Sequence, residues 1–87
     1  PGDEQVLAER ARARLKAGLV DLALDDYGKA IALAPGNVQL RLARAFVHHD
    51  NGRFEDAVAD YTAAIRAGAS GADVRYRRGI AYYALNR

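Results

Sequence analysis

His48, His49 and Asp50 form the one run of side chains in this sequence that could hold a metal ion or pass a proton. Imidazole nitrogens and a carboxylate are suitable donors. Their spacing is unsuitable. Successive helical residues point about 100° apart, so useful neighbours on a helix lie three or four positions apart. The plainer reading packs His48 between helices and leaves His49 on an open wall. The rest of the inventory is equally thin. Ser70 is the only serine and Thr62 the only threonine, and neither has a base beside it. The absence of cysteine excludes thiol catalysis, disulfides and thiolate metal sites. No glycine-rich phosphate loop occurs. No catalytic group, cofactor or metal is expected.

A second pattern of charges is more informative. Arg10, Arg44 and Arg78 recur at intervals of 34 residues, and Asp26 and Asp60 follow the first two by sixteen. An arginine fork matches a carboxylate in two parallel hydrogen bonds. The recurrence predicts ion pairs Arg10–Asp26 and Arg44–Asp60 that tie helix to helix. A row of ligand-binding arginines is the alternative, and the matching acids favour the structural role. Arg78 has no acid sixteen residues on, because the sequence stops at Arg87, so it is expected either to be free here or to pair within a longer parent chain.

These charges are part of a wider repeat. "DDYGKAI" at 25–31 returns as "ADYTAAI" at 59–65, again 34 residues later. Gln5, Arg10, Ala11, Gly18 and Ala23 meet Gln39, Arg44, Ala45, Gly52 and Ala57. Asp26, Tyr27, Ala30 and Ile31 meet Asp60, Tyr61, Ala64 and Ile65. A second slide brings Arg41, Arg44 and Arg53 onto Arg75, Arg78 and Arg87. Abundant alanine favours helix, and no alternating run supports a strand. Each unit therefore reads as two helices, over Glu4–Ala17 and Leu19–Leu33, then Val38–Asn51 and Arg53–Ala67. A third unit has only its first helix, Ala72–Asn86. Gly18 and Gly52 stand where a left-handed residue must end the first helix. Pro35-Gly36-Asn37 separates the units, and the Asn37 side chain can cap the next helix. Ser70-Gly71 serves the later junction, with Asp73 favoured in a first turn by the helix dipole.

Ala11, Ala45 and Gly79, with Ala23 and Ala57, keep paired helices close. Tyr27, Tyr61, Ile31 and Ile65 offer larger faces to the next unit, and Val20 and Phe54 fill the turns. No such unit hides its apolar side alone, so the units must stack.

On these residues the chain resembles the tetratricopeptide repeat family. Gly18, Ala23, Tyr27, Ala30 and Pro35 carry the likeness in the first unit. Ala45, Gly52, Ala57, Tyr61 and Ala64 carry it in the second, and Gly79 and Tyr82 in the third. Leu7, Arg41 and Arg75 stand where the family has an early Trp. Arg14 and His48 precede Tyr82 at its first-helix Tyr position, and Ala69 replaces an end-of-unit Pro. The resemblance implies an all-α solenoid of antiparallel helix pairs, with units at 4–37, 38–71 and an incomplete 72–87.

The resemblance also implies that first helices line a concave groove for a peptide or helix. By position the lining includes Arg12, Leu42, Phe46, His49, Tyr76, Ile80 and Tyr83. Leu42, Phe46, Tyr76, Ile80 and Tyr83 are large and fall away from the contact within a unit, and an apolar patch of that kind marks an interaction site. First helices are richer in basic residues and second helices in acidic ones. The expected partner is a protein segment, apolar in part and partly acidic. The family's clamp for acidic chaperone tails uses Lys and Asn, then Asn, then Lys and Arg. Here those places hold Ala8 and Arg12, Ala43, Asp73 and Arg77. Only Arg77 fits and Asp73 would repel a carboxylate, so a chaperone tail is expected to be disfavoured.

The 87 residues carry a net charge of +2. That is too dispersed for phosphate binding, so no nucleic acid is expected. No 18-residue apolar run exists, so no membrane span is expected. Eleven of thirteen basic residues are Arg, which fits a GC-rich, bacterial coding bias. The missing initial Met and the stop at Arg87 read as a piece of a longer protein. No signal peptide is visible. Compartment is not set by these residues, with the cytoplasm the default. The leading expectation is a non-catalytic interaction module that scaffolds an assembly. In the rival reading the apolar stripe packs on another copy or on flanking sequence.

Overall fold

Five helices follow one another in a computed structural model that describes residues 2–86. They are α1 (Asp3–Lys16), α2 (Val20–Leu33), α3 (Val38–Asp50), α4 (Phe54–Arg66) and α5 (Ala72–Leu85). Pro1 and Arg87, the latter the repeat partner of Arg53, lie outside the described residues. Among those residues there is no strand. The helices pack mainly in chain order, α1 on α2, α2 on α3, α3 on α4 and α4 on α5. The molecule is 37 × 29 × 17 Å, so its thin dimension is about two helix diameters. That is the shape of an open stack rather than a closed bundle. The observed helix ends lie within one residue of those read from the sequence.

The turns explain the period. Gly18 and Gly52 adopt φ of +79° and +74°. Beside them, Leu19 N–H donates to the Arg14 carbonyl and Arg53 N–H to the His48 carbonyl, both at 2.8 Å. These two bonds consume carbonyls that a helix end would leave unpaired. Any side chain at either glycine would strain the turn. At the start of α3 the Asn37 side chain accepts from the N–H groups of Gln39 and Leu40 at 3.0 and 3.3 Å. No side chain caps α5, and Gly71 stands before it at φ +124°.

Small residues bring each pair together. Ala11, Ala23, Ala45 and Ala57 have no exposed surface. The larger residues bridge the units. Tyr27 of α2 is buried with Leu40 and Val47 of α3. Tyr61 of α4 is buried with Leu42 and Ala45 of α3 and with Val74 of α5. Deleting a buried aromatic ring of this kind costs about 3–5 kcal/mol. Each tyrosine thus holds one junction of the stack.

Both predicted ion pairs are present. Arg10 Nε and Nη2 donate to the two Asp26 oxygens at 3.0 and 2.8 Å. Arg44 Nε and Nη2 donate to the Asp60 oxygens at 2.8 Å each. Asp26 also accepts twice from Arg14 Nη1 at 3.0 Å, a partner that the repeat alone does not announce. The Arg10 hydrogen bonds are the first cause that holds the Asp26 carboxyl below the usual carboxylate range, against the effect of its burial. Arg78 donates instead to Thr62 Oγ1 of α4 at 3.2 Å. On the surface Arg53 pairs with Asp21 at 2.9 Å; exposed pairs of this type contribute little.

Candidate functional site

The richest cluster lies where α3, α4 and α5 meet. Phe46 of α3 tilts against the Tyr61 ring, with centroids 6.0 Å apart. The Arg77 guanidinium of α5 lies over the same Phe46 ring, 4.9 Å from its centre. An aromatic face attracts a cation and fixes its plane. One turn earlier on α5, the Asp73 carboxylate sits 3.7 Å from Arg77 Nε. That distance is an ion pair but not a hydrogen bond, and Arg77 Nε is buried with no hydrogen-bond partner.

His49 closes the cluster from α3. Its ring meets Phe54 edge-on at 5.4 Å and Tyr61 at 6.1 Å. Its Nδ1 lies 3.3 Å from the Tyr61 hydroxyl. Burial pushes that hydroxyl above the usual tyrosine value, while the Arg77 charge pulls it back. The first junction has a related arrangement. There burial raises Tyr27, and Arg12 is the cation that opposes it. Two guanidinium groups therefore stand beside the two tyrosines that join the units.

The groove residues named from the sequence divide. Phe46 and His49 are brought together around Tyr61, and both remain partly accessible. Arg12 is exposed on α1. Tyr76, Ile80 and Tyr83, at helical spacing on α5, are 70%, 39% and 65% exposed. Leu42 is a correction. It is only 9% exposed, because the stacked α4 and α5 close over it, and it belongs to the core with Tyr61 and Val74. The sequence places Arg77 and Asp73 at clamp positions and Arg14 at an aromatic one, but it does not announce the stacking of Arg77 on Phe46, its pairing with Asp73, or the bonds of Arg14 to Asp26. Phe46 and Arg77 are 31 positions apart in different units, so no helical spacing connects them. Only the register between units could have done so.

His48 takes the packing role. Its ring lies 3.9 Å from carboxylate oxygens of both Asp56 and Asp60, and its Nδ1 is buried without a hydrogen bond. Burial is the chief cause that holds its pKa below the ordinary histidine value. Among the described residues no group of three or more His, Cys, Asp or Glu is placed to hold a metal ion. No helix of the described residues is long and apolar enough to cross a membrane.

A sequence profile described as tetratricopeptide repeat matches residues 8–71 and again 47–87. The chain belongs to the tetratricopeptide repeat family. Comparison with curated protein sequences finds no match. Among solved structures the chain is similar to the first TPR of Spaghetti (RPAP3) bound to the HSP90 peptide SRMEEVD. The TM-score is 0.85 at 31% identity, over 95% of this chain and 66% of that one. This chain thus spans just under two thirds of that structure's length. Five helices with a repeat match and this neighbour make the domain a protein-interaction module and not an enzyme.

The same likeness overturns one expectation. The clamp positions disfavoured a chaperone tail, chiefly because Asp73 would repel it. The similar TPR carries an HSP90 peptide that ends in acidic residues. Asp73 weakens such a peptide without forbidding it, because it does not stand as a bare charge. It is paired with Arg77, so part of its field is already neutralised.

Proposed function

We propose that the face formed by α1, α3 and α5 binds an acidic C-terminal segment of a partner protein, of the kind represented by SRMEEVD. The likeness to a peptide-bound tetratricopeptide domain carries this reading. The site chemistry supports it. Arg77 and Arg12 supply cations, and Phe46, Tyr76, Ile80 and Tyr83 supply apolar surface. The peptide's carboxylates suit the first group, and its Met and Val suit the second. His49 stands at the edge of the same surface. Charge-assisted hydrogen bonds are worth about 1.5–3 kcal/mol each, roughly tenfold to a hundredfold in affinity.

Fluorescence anisotropy with labelled SRMEEVD tests the proposal. Saturable binding that Arg77→Ala weakens at least about tenfold is expected. Absence of binding, or binding that survives Arg77→Ala with Phe46→Ala, would sink it. The exposure of Tyr76 and Tyr83 favours a second reading, in which this stripe meets another copy. Sedimentation at rising concentration separates the two. A dimer dissociated by Tyr83→Glu would favour self-assembly, and a persistent monomer would favour a foreign peptide.

A further inference from the structure

We propose that Asp73 is an internal competitor for Arg77, which occupies the cation until a peptide carboxylate displaces it and thereby sets how acidic a ligand must be. This rests on the peptide-binding reading above and concerns regulation of the same face. The two residues are four apart on α5 and share one side of the helix. Arg77 cannot swing away to follow a ligand freely, because its guanidinium is seated over Phe46. Asp73 reaches it only loosely, at 3.7 Å and without a hydrogen bond.

The molecule supplies its own standard for a well-made fork. Arg10 and Arg44 meet their carboxylates at 2.8–3.0 Å through two donors each. A ligand carboxylate that achieves such geometry on Arg77 would out-compete Asp73. The displaced Asp73 then stays within a few ångströms and repels the incoming charge. A single weak carboxylate gains little from the exchange. A peptide with several acidic groups gains from Arg77 and from other cations such as Arg12 as well. Asp73 therefore acts as a selectivity filter.

The test titrates labelled SRMEEVD into the wild type, Asp73→Asn, Arg77→Ala, the double variant and Asp50→Asn. Circular dichroism melts establish that each is folded. Asp73→Asn is expected to bind about three- to fivefold tighter at low salt, the scale of an exposed ion pair. The gain should shrink above 0.5 M salt, where such charges are screened on the order of a few ångströms. In the Arg77→Ala background the same substitution should change affinity less than about twofold. Asp50→Asn removes the α3 carboxylate that, like Asp73, acts on the Tyr61 hydroxyl; among the described residues it is Asp73 that pairs with Arg77, so Asp50→Asn should change affinity less than Asp73→Asn does. An unchanged or weakened affinity in Asp73→Asn overturns the proposal, since Asp73 would then be idle or a ligand contact. A gain that persists without Arg77 also overturns it, leaving only long-range charge. If neither wild type nor Asp73→Asn binds, the peptide-binding reading itself fails; equal and measurable binding sinks the competitor alone.

Discussion

In the first helix pair the buried carboxylate of Asp26 takes two guanidinium groups, from Arg10 and Arg14. In the second, Asp60 takes only Arg44 and lies beside His48, which burial holds neutral. Arg14 and His48 are repeat equivalents. The fork at the recurring arginine is therefore the shared element, and the second neighbour is free to vary. The repeat requires that a buried acid be satisfied, not that it be satisfied twice. The consequence is an electrostatic difference between units that share a backbone.

Removing the acid should expose that difference most clearly. Asp26→Asn strands two arginines against a buried amide, and a loss of about 2 kcal/mol is expected. Asp60→Asn strands one, so about half that loss is expected. Urea denaturation of both variants checks the order. Equal losses would mean that Arg14 contributes nothing, and an untouched midpoint for Asp60→Asn would mean that its pair is not structural.

Much of this was legible in the sequence because packing repeats. Gly18 and Gly52, the small alanines, Asn37 and both Arg–Asp forks all recur or cap at fixed intervals. They report constraints that every unit shares. Arg14 was visible only as a departure from an aromatic position, and its role depends on where Asp26 already lies. Leu42 looked like groove surface because helical periodicity places it on the outer side of its own pair. Stacking of α5 buried it, and periodicity within one helix says nothing about the next. Gly79 shows the converse. It matches the buried Ala11 and Ala45, yet a Cβ there would meet nothing within 4 Å, since none of the described helices packs against it. The Arg77–Phe46 stack is likewise a relation between units.

The neutral imidazole gives the second pair a pH dependence that the first lacks. The folded-state pKa of His48 is lowered from 6.5, mainly by burial; Asp56 and Asp60 raise it, and Arg44 and Arg53 assist the lowering. The unfolded chain thus binds the proton more readily, and stability falls as pH drops below about 6.5 toward the folded value. Asp26 acts at lower pH. Its folded pKa lies below 3.8, so its contribution is present above that value and fades as pH falls further. Between pH 7 and 5 only the second pair should respond through these groups. His48→Arg copies the first pair into the second. It should add about 0.5–1 kcal/mol at pH 5.5 and flatten the dependence of the urea midpoint over that range. An unaltered slope would show that His48 is not its source.

The smallest difference lies between the units rather than within them. Gly28 of α2 and Thr62 of α4 are repeat equivalents, and each faces the recurring arginine of the following helix. A Cβ at Gly28 would lie 3.8 Å from Arg44 Nη1, an ordinary contact. At Thr62 the hydroxyl accepts from Arg78 Nη1 at 3.2 Å. Arg44 does not need a hydroxyl there because Asp60 already takes its fork. Among the described residues Arg78 meets no acid at that place and donates to the threonine. Alanine should therefore stabilise at the first site and not at the second. Gly28→Ala gains helix propensity with no bond to lose, and should stabilise by about 0.5–1 kcal/mol. Thr62→Ala gains less propensity and gives up the Arg78 bond, so it should be neutral to destabilising by about 0.5 kcal/mol. Thermal melts at pH 7.5, where His48 stays neutral, read both. Stabilisation of similar size at each site would mean that the Arg78–Thr62 bond contributes nothing to holding α5 on α4.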